Sequence, residues 1–194
     1  MNKVINIALV LATIVLTYWL YASIKEPIAF NSELETRKLG VIAHLKKIQI
    51  AQDVYRMVTG KYANNFDVLT SVIENGKIEI VKLEADPTDP TNQDKFVKSV
   101  SFVPSKDTIK SLLGDINVSD LRYIPFTDKK VFEIAADTIM HQNNLVNVVL
   151  VSTKYKDFMG VFADPKYKKY AKFYDPEKSL KFGDLNSPNT NGNW

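Results

Sequence analysis

Two histidines, His44 and His141, are the side chains of this sequence best suited to hold a metal or move a proton near neutral pH. Neither stands in a ligand spacing such as the paired histidines of a zinc-protease helix, so a metal role is not expected of them. Asp86, Asp89 and Asp94 offer carboxylates of the kind calcium takes. Pro87 and Pro90 interrupt the oxygen-ligand rhythm, however, and no glutamate follows at the twelfth position, so this stretch reads as proline-stiffened turns. Ser99, Ser101, Ser111 and Ser152 lack a nucleophile-elbow context and a poised base. Seven scattered glycines do not make a phosphate-binding loop, and the absence of cysteine removes thiol nucleophiles, disulfides and cysteine metal sites. The residues therefore point to a non-enzymatic protein with no catalytic, cofactor-binding or metal site.

Charge gives a second line of chemistry. Twenty-five basic against 22 acidic residues leave a formal charge of +3, which predicts no specific recognition of nucleic acid. Locally, Lys166, Lys168, Lys169 and Lys172 interleave with Tyr167, Tyr170, Phe173 and Tyr174. Such a pattern suits phosphates or lipid headgroups, or else a solvated amphipathic segment whose rings pack inward. The second reading is the one expected here.

The element that would position these groups is at the start of the chain. From Val4 to Ile24 no residue is charged, and a helix of that length covers roughly 30 Å, the thickness of a bilayer's hydrocarbon. Tyr18, Trp19 and Tyr21 stand near one end with Lys25 behind them, as residues at a headgroup layer do. The run exceeds the core of a signal peptide, and Ala22-Ser23-Ile24 follows bulky rings, so retention is expected. A helix apolar on all sides is buried by lipid or by protein, and periodicity does not choose between them.

Glu26-Pro27-Ile28 is expected to break this helix, since proline lacks a donor. Ser32 with Glu35 has the form of a capping box for a second helix, 33–59, whose apolar stripe is Leu34, Val41, Ile42, Leu45, Ile48, Ala51, Tyr55 and Val58. His44 falls on its polar side, and Gly60 follows its end. A short helix capped by Asn65 and closed at Asn75-Gly76, a strand over 77–83, a loop over 84–95 and a strand over 96–103 come next. Ser105 is expected to cap a helix ending at Gly114. Residues 121–126 and 130–139 read as a hairpin turning at Thr127-Asp128-Lys129, and valine-rich 145–153 as a central strand with antiparallel neighbours.

Two resemblances follow from these residues. The apolar helix, the amphipathic helix after it and the stretch from Tyr55 through Gly60 to Tyr62 resemble pilins and secretion pseudopilins, which assemble through their N-terminal helix. The chain departs from them in having no glycine-phenylalanine site after Lys3 and no glutamate inside the apolar run. Over nearly its whole length it is similar to an uncharacterised Bacteroidota protein family with members in crAss-like phages. That similarity is carried by Lys25-Glu26-Pro27-Ile28-Ala29-Phe30-Asn31, Arg37, His44-Leu45-Lys46-Lys47-Ile48, Ala51-Gln52, Leu121-Arg122-Tyr123-Ile124-Pro125-Phe126-Thr127-Asp128 and Gly192-Asn193-Trp194. The function the resemblance implies first is a non-enzymatic virion structural subunit in the rings of a phage short-tail barrel. The alternative, in a cellular context, is a single-pass envelope protein of Bacteroidota with a pseudopilin-like architecture.

The expectation is thus an α+β protein in three parts: a hydrophobic helix and connector (1–30), an α+β domain (31–160), and a Tyr/Lys/Pro-rich extension (161–194) packed on neighbouring subunits. Its partners would be copies of itself and neighbouring structural proteins, or a membrane through residues 4–24. The interface residues would be Ile5, Leu9, Ile14, Leu16, Tyr18, Trp19, Tyr21, Tyr167, Tyr170 and Trp194.

Overall fold

A computed structural model describes residues 2–85 and 96–194. The chain is α+β: a long N-terminal helix, apolar at its start, runs into a domain with small antiparallel sheets. Helix α1 spans Asn2–Thr59 without interruption, so the expected break at Pro27 and the restart at Ser32 do not occur. A proline inside a helix costs about 3 kcal/mol through its missing donor and ring clash. Contacts on both sides of Pro27 oppose that cost. Before it, Glu26 accepts a 2.6 Å hydrogen bond from the Tyr170 hydroxyl; after it, Phe30 is fully buried among Phe162, Tyr167, Tyr170 and Tyr174. Asn31 also donates through Nδ2 to the Pro27 carbonyl.

The second half of α1 is the axis of the core. Phe30, Leu34, Val41, Leu45, Ile48, Ala51 and Val54 are all buried, at the three- and four-residue spacing that keeps one helical face inward. The helix stops at Gly60, whose φ of 76° is readily adopted only without a side chain, and whose amide donates to the Arg56 carbonyl. Helix α2 (Phe66–Asn75) starts where Asn65 accepts from the Val68 amide, and turns Phe66, Leu69 and Ile73 into the core. Strands β1 (Lys77–Ala85) and β2 (Phe96–Pro104) form an antiparallel ribbon. The strand reading thus continues through Glu84 and Ala85, and the rest of the expected loop, with Asp86, Asp89 and Asp94, lies outside the described residues.

Helix α3 (Ser105–Leu113) begins one residue earlier than a Ser105 cap implies: Pro104 is the N-cap position, no side chain caps the helix, and the Ser105 hydroxyl is buried without a partner. The hairpin expected over 121–139 shrinks to a single bridge, Tyr123 to Val131. Residues Val118–Arg122 form a 3-10 turn instead, and Phe126 and Lys129, both at positive φ, fold the connection into a compact loop. Strand β3 (Glu133–His141) pairs with β4 (Asn144–Lys154) through a two-residue turn in which Gln142 and Asn143 both have positive φ. That geometry matches the right-handed twist of the strands it joins.

Strand β4 is central, with β3 on one side and β5 (Ser179–Gly183) on the other, both antiparallel. Short helix α4 (Tyr155–Phe158) and 3-10 turns at Gly160–Phe162 and Pro165–Tyr170 connect β4 to β5. Residues 161–194 therefore pack largely on their own chain. They supply a strand of the sheet, the rings around Phe30, and a terminal segment held by Phe182–Gly192 pairing and by a bond from the Gln49 amide to the Thr190 carbonyl.

Two positions carry much of this local order. Gln52, buried inside α1, donates to the Ala63 carbonyl at 3.0 Å and accepts from the Ala63 amide at 2.9 Å, tying the loop after Gly60 to the helix. Gly183 has φ 79°, and a Cβ there would sit 1.9 Å from the Val149 carbonyl oxygen. Gln52→Leu is expected to destabilise the domain by about 2–3 kcal/mol by stranding two buried backbone groups. Gly183→Ala is expected to cost about 2 kcal/mol or more through strain and collision. Thermal unfolding of the full chain in detergent, followed by circular dichroism, measures both; wild-type midpoints would contradict these assignments.

Candidate membrane or assembly interface

Residues 3–26 of α1 are all exposed. An 18-residue window of this stretch is apolar enough to cross a membrane, and none of it is buried. Ile5, Leu9, Ile14, Leu16, Tyr18, Trp19 and Tyr21 are between 49% and 69% exposed, spread around the helix rather than along one stripe. Val4, Ile7, Val10, Leu11, Val15, Leu20 and Ile24 are exposed as well. Monomers in water rarely leave a continuous apolar surface of this extent, because each large aliphatic side chain left wet forgoes about 1.5–3 kcal/mol. The polar groups of the segment are internally quiet: Thr13 and Thr17 donate to the carbonyls of Leu9 and Thr13, one turn back. The helical backbone and these two threonine hydroxyls are thus satisfied without water, as hydrocarbon demands.

The apolar stretch ends in a chemically distinct band. Tyr18, Trp19 and Tyr21 project outward, and the Lys25 ammonium lies 5.7 Å from the Tyr21 ring centroid. One residue further, Glu26 meets Tyr170, and four residues beyond that Phe30 enters the core. The change from fully exposed to fully buried helix therefore takes little more than one turn.

The remaining expected interface residues fall elsewhere. Tyr167 is buried, stacked on Phe30 with ring centroids 5.4 Å apart, so it serves the chain's own core. Tyr170 is half-buried and fixed to Glu26. Trp194 is 37% exposed, its ring folded back over Gly192. The structure thus gathers the seven residues of α1 on one exposed segment, places Tyr170 and, buried beside it, Tyr167 at its base, and puts Trp194 elsewhere.

His44 is not on a polar surface as its lysine neighbours suggested. It is half-buried, stacks on Phe132, and lies with Nε2 3.0 Å from the Leu121 carbonyl. A carbonyl only accepts, so Nε2 carries the proton and donates. Burial holds this imidazole below its ordinary range; the Leu121 bond opposes the shift and Lys47 adds to it. His141 ends β3. Ser152 is buried and donates to Glu133 at 3.3 Å, Ser101 and Ser111 are exposed, and no three of His, Cys, Asp or Glu converge among the described residues.

Other shifted groups have structural causes. Burial pushes Tyr174 up to about 12, and its hydroxyl donates to the Phe162 carbonyl at 2.7 Å. Burial also raises Tyr62, against the opposing charge of Arg56, whose Nη1 donates to the phenol at 2.8 Å. A surface hollow of about 460 Å³ between α2 and α3, lined by Ile73, Lys106, Ile109, Lys110 and Val118, brings no nucleophile against a base.

The His44 environment makes a pH prediction. The unfolded chain protonates His44 near its ordinary value of about 6.5, whereas the folded chain does so only at lower pH. Stability is accordingly full above that value and falls as pH drops below it. His44→Gln, which keeps a donor for Leu121, should flatten the fall between about pH 7 and 5.5 in thermal midpoint measurements. Equal slopes in the two proteins would contradict this.

Comparison with protein-family models, with curated proteins and with solved structures found no match to this chain.

Proposed function

We propose that the protein is a single-span membrane-anchored protein with a pseudopilin-like architecture, a non-enzymatic α+β domain carried on the continuation of its own anchor. The observation behind this reading is the unburied apolar first half of α1, joined without a break to the half that organises the core. The aromatic band and Lys25 at its end agree with a headgroup boundary. Retention of the segment is supported by its length and by the bulky rings before Ala22-Ser23-Ile24. The virion-ring role implied by the family resemblance would cover the same surface with copies of the chain, and no second feature of the fold speaks for it.

Flotation of the full-length chain with phosphatidylcholine vesicles, together with the mass of the mature protein, tests the proposal. The chain should float and keep residues 4–24. Sedimentation as a lipid-free oligomer would favour burial by copies, and a shortened mass would remove the anchor. Leu11→Arg should reduce insertion by about 2.5–3.5 kcal/mol and leave the domain's melting unchanged, because Leu11 meets no domain residue. Phe30→Ala should do the reverse, lowering domain stability by about 3–5 kcal/mol while the chain still floats.

A further inference from the structure

The Pro165–Tyr170 turn sits against α1 at the point where the helix leaves the domain. Tyr170 is bonded to Glu26, two residues beyond Ile24, and Tyr167 is stacked on Phe30, about one helical turn further along. The lysines beside those two rings are thereby brought to the base of the anchor. Lys166 Nζ lies 4.8 Å from the Tyr167 ring centroid, Lys169 Nζ lies 4.7 Å from that of Tyr170, and both side chains are exposed. Lys25 stands on α1 itself, exposed at the same level.

Charges of both signs meet here. The turn and the stretch of α1 beside it carry Lys25, Lys166, Lys168, Lys169 and Lys172 together with Glu26, Asp164 and Asp175. Asp175 is engaged by Lys168 at 3.0 Å, Glu26 accepts from Tyr170, and Asp164 accepts from the Lys166 backbone amide in capping the turn. Asp175 is the carboxylate paired with a lysine here, while Glu26 and Asp164 keep their charge; five lysines against three carboxylates still leave an excess of two positive charges, and Lys166 and Lys169 are exposed, Lys169 beside Tyr170. A headgroup layer extends only some 5–8 Å beyond the hydrocarbon, which lysines on this level can reach.

We infer that Lys25, Lys166 and Lys169 form a cationic collar around the base of α1 that binds the anionic headgroups of the bilayer the helix crosses. The inference rests on the anchor reading above and adds to it a lipid class and the residues that select it. An ammonium near an anionic surface favours association by about fivefold per lysine, and the effect decays within about 10 Å in ordinary salt. Lys106 and Lys110 on α3 lie far outside that range: α3 packs at the Val58 end of α1, roughly 50 Å along the helix from Ile24. They are internal controls.

The test uses the full chain in lipid nanodiscs of phosphatidylcholine alone or mixed with phosphatidylglycerol, with lysine acylation followed by mass spectrometry. Lys25, Lys166 and Lys169 should react about fivefold more slowly in the anionic discs, Lys106 and Lys110 equally in both, and raised salt should erase the difference. Equal reactivity of Lys166 and Lys169 in the two discs, with the chain inserted, overturns the collar and leaves the anchor standing. Failure of the chain to insert in either disc overturns both.

Discussion

A single hydrogen-bonded helix serves two environments in this protein, and the rest of the structure is arranged around that constraint. Residues 3–25 are exposed, whereas those from Phe30 onward are buried along one inner face. The helix must therefore change from one kind of surroundings to another within about one turn, at the place where Pro27 removes a backbone donor. The aromatic group of Phe30, Phe162, Tyr167, Tyr170 and Tyr174 closes over that place. All of these rings except Phe30 come from the C-terminal third of the chain, so the last part of the sequence stabilises the junction made by the first.

Beyond the junction the domain follows from one helix face and one sheet. Val149 and Val151 on β4, with Leu180 and Phe182 on β5, join the buried face of α1 in a single core. The β1–β2 ribbon contributes little to it: Ile78 is buried, but Ile80, Val81, Val100 and Phe102 stay exposed. Two-stranded ribbons are marginal by themselves, and this one is held at its root, where the Ser105 amide donates to the Gly76 carbonyl.

Much of this was legible because strong local signals agreed with tertiary packing. The apolar run, the stripe of α1, the Asn65 cap, the glycine stop at Gly60 and the valine-rich central strand each express a backbone or burial preference that nothing overrides. The misread elements are those where distant contacts decide. Pro27 stays helical because Tyr170 and the rings around Phe30 grip both sides of it, and sequence spacing contains no trace of that grip. The 121–139 hairpin gave way because left-handed Phe126 and Lys129 close a tighter loop, and Gln142-Asn143 lacks the glycine that usually marks a two-residue turn. Strand β5 is short and was hidden in a stretch rich in lysine and proline. The exposure of the seven apolar positions on α1 was readable from hydropathy. Tyr167 was not, because an aromatic among lysines has the same sequence signature whether its ring faces in or out.

The unbroken course of α1 also has a mechanical meaning. With Pro27 clamped on both sides, the usual flexing point of a proline-containing helix is splinted, and under the proposed anchoring the molecule would act as a lever with its fulcrum at the bilayer surface. The far end of the arm, at Thr59, is roughly 50 Å from Ile24. A change of about 10° in the inclination of the apolar segment, well within the range membrane-spanning helices adopt, would sweep that end through roughly 9 Å. Changes in bilayer thickness would in this way be amplified into displacements of the domain's outermost face.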